Sequence, residues 1–397
     1  MTAVELRASM SLASIFALRM LGLFLVLPVF ALEARQYPGG DDVSLIGLAM
    51  GLYGLTQAAL QIPFGMASDR FGRKPVIIVG LLLFAAGSLM AALATSLAWL
   101  AAGRALQGCG AISAAVTALL ADQTRDLVRT KAMALIGASI GLMFAISLVI
   151  APALASVLGL AGLFALTAVL ALAGMAIVLW WVPPEPAKHA IQERASVSGV
   201  LSNPELMRCN LGVLILHMVQ LAMWMAVPTM LEQAGLPRAQ HWWVYLPAVL
   251  GSFFVMAGTL FPLERRGYLR AVFLVAIGCI MLVQIALWTL TQTSLSIVAL
   301  TLVLFVFFWG FNVLEASQPS FVSRLAPANV RGTAMGVYNT LQSLGLFAGG
   351  AAGGWLVKNF GPAGLFITGF SAMLLWLVVA WPMRIPTATV KVAAKAG

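Results

Sequence analysis

Charge is what this 397-residue sequence lacks most. Only 9% of its residues are Asp, Glu, Lys or Arg, and 61% are hydrophobic; an ordinary soluble domain carries about 25% charged residues. A water-facing surface cannot be built from so few charges, so a soluble fold is excluded and lipid must be the outer solvent. Cysteine is scarce as well. Cys109, Cys209 and Cys279 are odd in number, far apart, and each lies in or beside an apolar run, which fits reduced thiols with neither a disulfide framework nor metal-ligand spacing. No aspartate falls within an apolar run, and His217 is the only histidine well inside one. An intramembrane hydrolase would need paired aspartates, a zinc-binding histidine pair or a serine with a base, so an enzyme is not expected. No nucleotide-binding motif is present, which excludes ATP hydrolysis by this chain. No cofactor and no metal is expected.

What is present is a succession of apolar runs long enough to cross a bilayer, roughly 17–25 residues each. They fall near 9–33, 44–64, 76–96, 99–120, 132–156, 160–182, 209–232, 241–262, 270–290, 295–319, 333–357 and 361–383. The first is too long for a signal peptide, contains Arg19, and lacks a small-residue cleavage site, so it reads as a retained helix. The net charge of +10 could point to nucleic acid, but its placement argues against that. Loops on one side carry Arg70, Arg73, Lys74, Arg125, Arg129, Lys131, Lys188, Arg194, Arg208, Arg265, Arg266, Arg270, Arg324 and Arg331, and the termini add Arg7, Arg384, Lys391 and Lys395. The opposite loops carry only Arg35, Arg238 and Lys358. Basic residues stay cytoplasmic. The basic balance is therefore a topology signal that puts both termini in the cytoplasm of a bacterial inner membrane, with no nucleic-acid partner.

The loops are short except 183–206, which opens Pro183-Pro184-Glu185-Pro186 and carries mixed charge. This places six spans in 1–183, a cytoplasmic linker at 184–206, and six spans with a short tail in 207–397. The tail from Arg384 is about a dozen residues, so no soluble domain is expected after the last helix. The two halves look related. Arg129-Thr130-Lys131-Ala132-Met133-Ala134 and Arg331-Gly332-Thr333-Ala334-Met335-Gly336 lead into spans 5 and 11 at an offset of 202 residues, which also sets Asp122 against Arg324. A six-span repeat marks transporters built from two parallel halves around a central site.

The loop between spans 2 and 3 reads Gly65-Met66-Ala67-Ser68-Asp69-Arg70-Phe71-Gly72-Arg73-Lys74. Its glycines permit a tight turn, Asp69 can meet a helix N-terminus or an arginine, and its cations hold the loop on an anionic membrane surface. This string resembles, position for position, the loop 2–3 signature of the major facilitator superfamily, Gly-x-x-x-Asp-Arg-x-Gly-Arg-Lys. The resemblance implies an all-α integral membrane fold of 12 transmembrane helices in two pseudo-symmetric six-helix bundles, moving by rocker-switch alternating access. It also implies a charge relay through Gly65, Asp69, Arg70, Gly72 and Arg73 that latches the halves, with Asp122 at the end of span 4 as partner of Arg73. Arg104 in Arg104-Ala105-Leu106-Gln107-Gly108 matches the buried arginine of the family's span 4. The antiporter pattern of span 5 is only partly kept: Gly137, Gly141 and Pro152 are present, but Ala151, Ala155 and Ser156 stand where the family has other small residues.

A charge in hydrocarbon costs roughly 2.5–3.5 kcal/mol on insertion scales, so each one inside a span asks for a reason. Arg19, Arg104 and Glu315 lie well inside, and His217 joins them as a group that titrates near neutrality. These four are the candidates for proton coupling. Each also has a plainer reading, as a snorkelling or hydrogen-bonded arginine, a packed histidine, or a carboxylate satisfied by a neighbour. Trp309, Asn312 and Glu315 recur at helical spacing, as do His217, Gln220 and Trp224; by the resemblance, spans 1, 4, 7 and 10 line the cavity. Gln220, Trp224, Trp309, Asn312 and Asn339 are the cavity-lining candidates. Tyr53, Gln57 and Gln61, and Asn339 with Gln342, read first as helix-contact hydrogen bonds. The leading function is proton-coupled efflux of hydrophobic or amphipathic small molecules by a monomer, with protons, substrate and membrane lipid as partners. The alternatives are a proton-coupled symporter importing a metabolite and a non-transporting membrane sensor.

Overall fold

The computed structural model describes residues 1–185, 197–293, 295–327 and 330–383. Lys188, Arg194, Arg384, Lys391 and Lys395, most of the linker and the tail lie outside them. The helices are α1 (Ala3–Glu33), α2 (Val43–Phe71), α3 (Arg73–Ala92), α4 (Leu97–Gly108), α5 (Ser113–Asp122), α6 (Asp126–Trp180), α7 (Val197–Leu201), α8 (Pro204–Met223), α9 (Val227–Gln233), α10 (Trp242–Arg265), α11 (Leu269–Gln292), α12 (Ile297–Leu325) and α13 (Arg331–Ala380). Their starts are written in the sequence. Thr2 and Glu5 form a capping box on α1, and Asp42, Ser96, Asn203 and Ser296 accept backbone N–H groups at the starts of α2, α4, α8 and α12. Each cap satisfies donors that would otherwise be orphaned at a helix end. The helices outrun the apolar runs: α1 begins at Ala3 and α2 extends to Phe71. Hydropathy measures the part in hydrocarbon, whereas caps decide where the helix stops.

Among the described residues, ten segments are long and apolar enough to cross a membrane. Two of them, Lys131–Trp180 and Arg331–Ala380, are 50 residues long. At about 1.5 Å per residue either would reach more than twice the roughly 30 Å of a hydrocarbon core. Neither runs straight. Gly159 has φ 63° and ψ −177°, and Gly361 has φ 66° and ψ −176°, a left-handed φ that no helical residue adopts and that glycine tolerates. The breaks fall where the apolar reading ended spans 5 and 11, and they stand 202 residues apart.

Two further breaks were not foreseen. Residues 109–112 separate α4 from α5, and 224–226 separate α8 from α9. Irregular backbone at membrane depth is tolerated where it is buried in protein; here the freed carbonyl of Gly110 accepts a hydrogen bond from Arg19.

The helices before residue 185 pack chiefly on one another, α1 along α6, α6 and α4 on α3, and α2 on α4. Those after 197 do likewise, α8 and α11 on α13, and α10 and α11 on α12. The main seams between the groups are α2 on α13 and α6 on α10. On the first seam the backbones touch. A Cβ on Gly47 would lie 2.3 Å from the Gly350 oxygen, one on Gly51 2.7 Å from the Phe347 oxygen, and one on Gly54 2.5 Å from the Ser343 oxygen. Two ion pairs close the same end, Asp42 with Lys358 at 2.7 Å and Glu33 with Arg238 at 3.1 Å. Lys358 donates to Asp42 and holds its carboxyl below the usual aspartate range.

Candidate functional site

The most unusual polar cluster inside the spans joins α8, α12 and α13. Glu315 of α12 keeps 36% of its side-chain surface exposed, and His217 of α8 only 6%. Their closest approach is 3.5 Å, Nε2 to Oε2. The other histidine nitrogen, Nδ1, lies 3.0 Å from the Val213 carbonyl one turn back. Between them stands Gln342 of α13, whose amide nitrogen is 2.7 Å from His217 Nε2 and 3.4 Å from Glu315 Oε1. Phe311, one turn from Glu315, meets His217 edge-on at 5.9 Å and packs on Phe144 of α6 at 5.8 Å. Phe144 in turn meets Phe24 of α1 at 5.1 Å. An aromatic layer thus bridges the two helix groups directly beside the titratable pair.

The remaining cavity-lining candidates are divided. Trp309 donates to Thr259 Oγ1 at 3.3 Å and Asn312 to Ser252 Oγ at 3.0 Å, both on α10. Trp224, where α8 ends, is buried edge-on to Tyr245 of α10. Gln220 is buried on α8. Asn339 lies one turn before Ser343, whose hydroxyl donates to its carbonyl. Glu315 therefore turns to α8 and α13 while its helical neighbours turn to α10.

Arg19 and Arg104 come together in a separate cluster around Tyr53, each only 1% exposed. Arg19 Nη2 donates to Tyr53 Oη at 2.9 Å and to the Gly110 carbonyl at 3.0 Å, and its guanidinium lies over Phe84. Arg104 donates to Gln107 Oε1 at 2.6 Å and to the Met50 carbonyl at 3.3 Å, and it stacks on the Tyr53 ring at 4.9 Å. Hydrogen bonds to charged groups are worth about 1.5–3 kcal/mol each, and a desolvated cation–π contact about 2. Neutral acceptors and rings thus offset part of the cost of burying two cations, while Arg19 Nε and Nη1 and Arg104 Nε stay buried with no hydrogen-bond partner among the described residues. Tyr53 is the shared element, contributing its hydroxyl to one arginine and its ring face to the other, more than the helix-contact hydrogen bond that its spacing predicts.

The 65–74 loop forms a third site. Gly72 turns the chain at φ 102°, and Arg73 then reaches back to Asp69 at 2.5 Å, to Ser68 Oγ at 2.7 Å and across to Asp122 at 3.1 Å. Arg70 lies over the Phe71 ring, and Gly65 packs beside Ala114. The start of α3 has no side-chain cap of its own because its cap residue is Gly72. Glu185 supplies one from 112 residues away, accepting from the backbone N–H of Arg73 at 3.0 Å and of Lys74 at 2.5 Å. Lys74 Nζ donates to the Val182 carbonyl at 2.8 Å. The C-terminal helices repeat the scheme: Arg270 at the start of α11 donates to the carbonyls of Met383 and Trp381, and Arg324 at the end of α12 pairs with Glu264 of α10 at 2.7 Å. Arg324 stands at the offset of Asp122, so the tie is kept with its charge inverted.

A family model for the Major Facilitator Superfamily matches residues 12–350. The chain belongs to the major facilitator superfamily. It is similar to the inner membrane transport protein YajR of Escherichia coli (strain K12), 44% identical over 392 residues that make up 97% of this chain and 85% of that one. It is similar also to the multidrug resistance protein MdtH of Proteus mirabilis (strain HI4320), 29% identical over 85% of this chain and 83% of that one. Among solved structures, the human organic anion transporter MFSD10 (TETRAN) superposes with a TM-score of 0.70 over 95% of this chain and 99% of that one, at 19% identity, a likeness of fold. As a member of this superfamily the chain is a multi-span, all-α secondary transporter that moves small molecules across a membrane, and it is not an enzyme.

Within that superfamily fold, the partly kept span 5 pattern falls into two stretches. A Cβ added to Gly137 or Gly141 would meet nothing within 4 Å. Pro152, Ala155 and Ser156 instead line a cavity of about 360 Å³ that also touches Glu33, Arg238 and His241, at the end closed by the ion pairs. The residues that sequence reading missed, Glu185 and the bridging role of Gln342, share a cause. Their partners lie 112 and 125 residues away, and no local pattern carries such a distance.

Proposed function

We propose that this protein is a proton-coupled exporter of hydrophobic or amphipathic small molecules in the inner membrane, working as a monomer by alternating access. One observation carries the reading: Glu315, a carboxylate deep within a span, is partly exposed yet rests against a titratable histidine. An acid placed so can exchange a proton with water from one side, and its charge then alters contacts among three helices. The names of two relatives, an inner membrane transport protein and a multidrug resistance protein, support the location and the cargo class.

In this reading the two 50-residue segments each fold at their glycine into two crossings, giving twelve in all. Six lie in 1–183 and six in 207–397, with 184–206 as the cytoplasmic linker. The 202-residue repeat of the breaks and the parallel ties of Lys74 and Arg270 support two related bundles. The excess of basic residues at the Gly72 end supports cytoplasmic termini. The glycine seam and ion pairs at the Asp42 end, with a partly exposed Glu315 beyond them, support a state closed to the outside and open inward. The Asp69–Arg73–Asp122 relay would then re-form contacts across the halves when the cytoplasmic end closes.

A symporter importing a metabolite is the second reading, favoured by Ala151, Ala155 and Ser156 in the antiporter stretch. Purified protein in liposomes, assayed with a panel of amphipathic dyes and metabolites under pH gradients of either sense, separates the two. Export predicts substrate moving against the proton flow, and import predicts movement with it. Transport that persists undiminished after the gradient is collapsed rules out proton coupling in both forms.

A further inference from the structure

We infer that Gln342 is a positioning residue that senses the protonation of His217 and passes it to the α2–α13 seam. The inference rests on the proton-coupling reading above.

The hydrogen-bond geometry fixes the neutral histidine tautomer. The Val213 carbonyl only accepts, so His217 Nδ1, 3.0 Å away, carries the ring proton. Nε2 then presents a lone pair. The Gln342 amide nitrogen at 2.7 Å donates one hydrogen to it and the other toward Glu315 Oε1 at 3.4 Å. One amide group thus spans the base and the acid, and both of its hydrogens are engaged while the histidine is neutral.

A proton arriving at Nε2 reverses this arrangement. It enters through the partly exposed Glu315 carboxyl, whose Oε2 is buried toward the ring without a hydrogen-bond partner among the described residues; an O–H bond there breaks as the N–H bond forms, leaving a carboxylate beside an imidazolium. Both ring nitrogens are then donors, and Nε2–H faces the hydrogens of the Gln342 amide. Donor against donor in a buried site is costly. The amide must turn its oxygen to the ring or withdraw, and Glu315 Oε2, now 3.5 Å away, takes the imidazolium hydrogen directly.

The place of Gln342 gives that motion a consequence. Its chain neighbour is Ser343, whose carbonyl oxygen lies 2.5 Å from where a Cβ on Gly54 of α2 would be, and one turn on are Leu346 and Phe347, against Gly54 and Gly51. Backbones in contact leave no slack, so a shift at Gln342 is felt across the seam. The groups facing the pair are Glu315 and Phe311 of α12 and Tyr338 of α13, whose buried hydroxyl has no partner among the described residues; Cys209 on α8 lies by Tyr338. Arg19 and Arg104 face Tyr53 instead.

The test uses the full chain in lipid nanodiscs without substrate. Nitrogen-15 NMR of labelled histidine, with His217 assigned by its loss in His217→Gln, reads tautomer and titration. Spin labels at Thr95 and Asn359, in a background with the three cysteines replaced by serine, read the separation of the halves. Wild type is expected to show the Nδ1–H tautomer when neutral, and a distance distribution that shifts as His217 titrates. Gln342→Met, of similar length but without hydrogen bonds, is expected to keep a titrating His217 and to lose the linked distance shift by at least about fivefold in population ratio, the lower bound of typical coupling. Gln342→Asn is expected to restore part of it. An Nε2–H tautomer in wild type overturns the inference with no variant needed. A full distance shift in Gln342→Met overturns it while leaving proton coupling intact. A wild type whose distances ignore pH overturns both.

Discussion

Tyr53 joins two arginines that would otherwise bury their charge with little compensation. Tyr53→Phe keeps the ring beneath Arg104 and removes only the hydroxyl that Arg19 donates to. It is expected to cost about 1.5–3 kcal/mol, the worth of a hydrogen bond to a buried charge, read as a lowered melting temperature in detergent. Glu185→Ala removes a cap and is expected to cost about 0.5–2 kcal/mol, with the loosening confined to the 65–74 loop in hydrogen exchange; Glu185→Gln, which still accepts, is expected to retain part of the stability. Asp42 makes a different prediction about pH. Its carboxyl lies below the ordinary range because Lys358 donates to it, so its stabilising contribution is complete above the ordinary aspartate pKa and is lost only as pH falls through the lowered value. Between pH 5 and 8, the span over which histidine titrates, the pair stays ionised. Asp42→Asn is therefore expected to shift the closed end by the same small amount at every pH in that window, as read by distances between spin labels.

At the scale of the helix, the seam between α2 and α13 depends on backbone contact more than on charge. The Asp42–Lys358 pair is partly exposed, and such pairs contribute roughly 0–1 kcal/mol. A valine at position 47 would have to displace the Gly350 backbone 2.3 Å away, which no side-chain rearrangement relieves. Gly47→Val is expected to part the halves at the Asp42 end, lengthening the label distance there far more than Asp42→Asn does. That the chain is all-helical and crosses the membrane many times was plain from the sequence, because apolar runs are a local property. The breaks at 109–112 and 224–226 were not, since a window of hydropathy averages over a few irregular residues. The face shared by Trp309, Asn312 and Glu315 was half legible: the spacing located the polar side chains, but only the packing of α10, α8 and α13 shows that the first two bond outward to α10 while Glu315 meets His217. Arg19, Arg104, Glu315 and His217 stood out singly because any charge or titratable group in hydrocarbon does. Their division into an arginine–tyrosine cluster and a histidine–glutamine–glutamate cluster required knowing which helices touch.

At the scale of the whole molecule, the proposed proton site in the C-terminal helices would act on a closure that both halves share. Orientation can be checked by single cysteines at Phe71 and Asn359, labelled with a membrane-impermeant maleimide in intact cells, where Asn359 is expected to react and Phe71 to be protected until the membrane is opened. The aromatic layer of Phe24, Phe144 and Phe311 sits where the halves meet and touches His217, so the site and the closure are in physical contact. The most direct test of coupling is proton movement itself. Purified wild type and Glu315→Gln are placed in liposomes holding a pH-sensitive dye, and an amphipathic substrate found by the screen is added with no imposed gradient. Proton-coupled export predicts that substrate entry moves protons the opposite way in wild type, and that Glu315→Gln binds the substrate but moves no protons. Proton movement of equal size in Glu315→Gln, or substrate flux in wild type with no change in the dye, would contradict it.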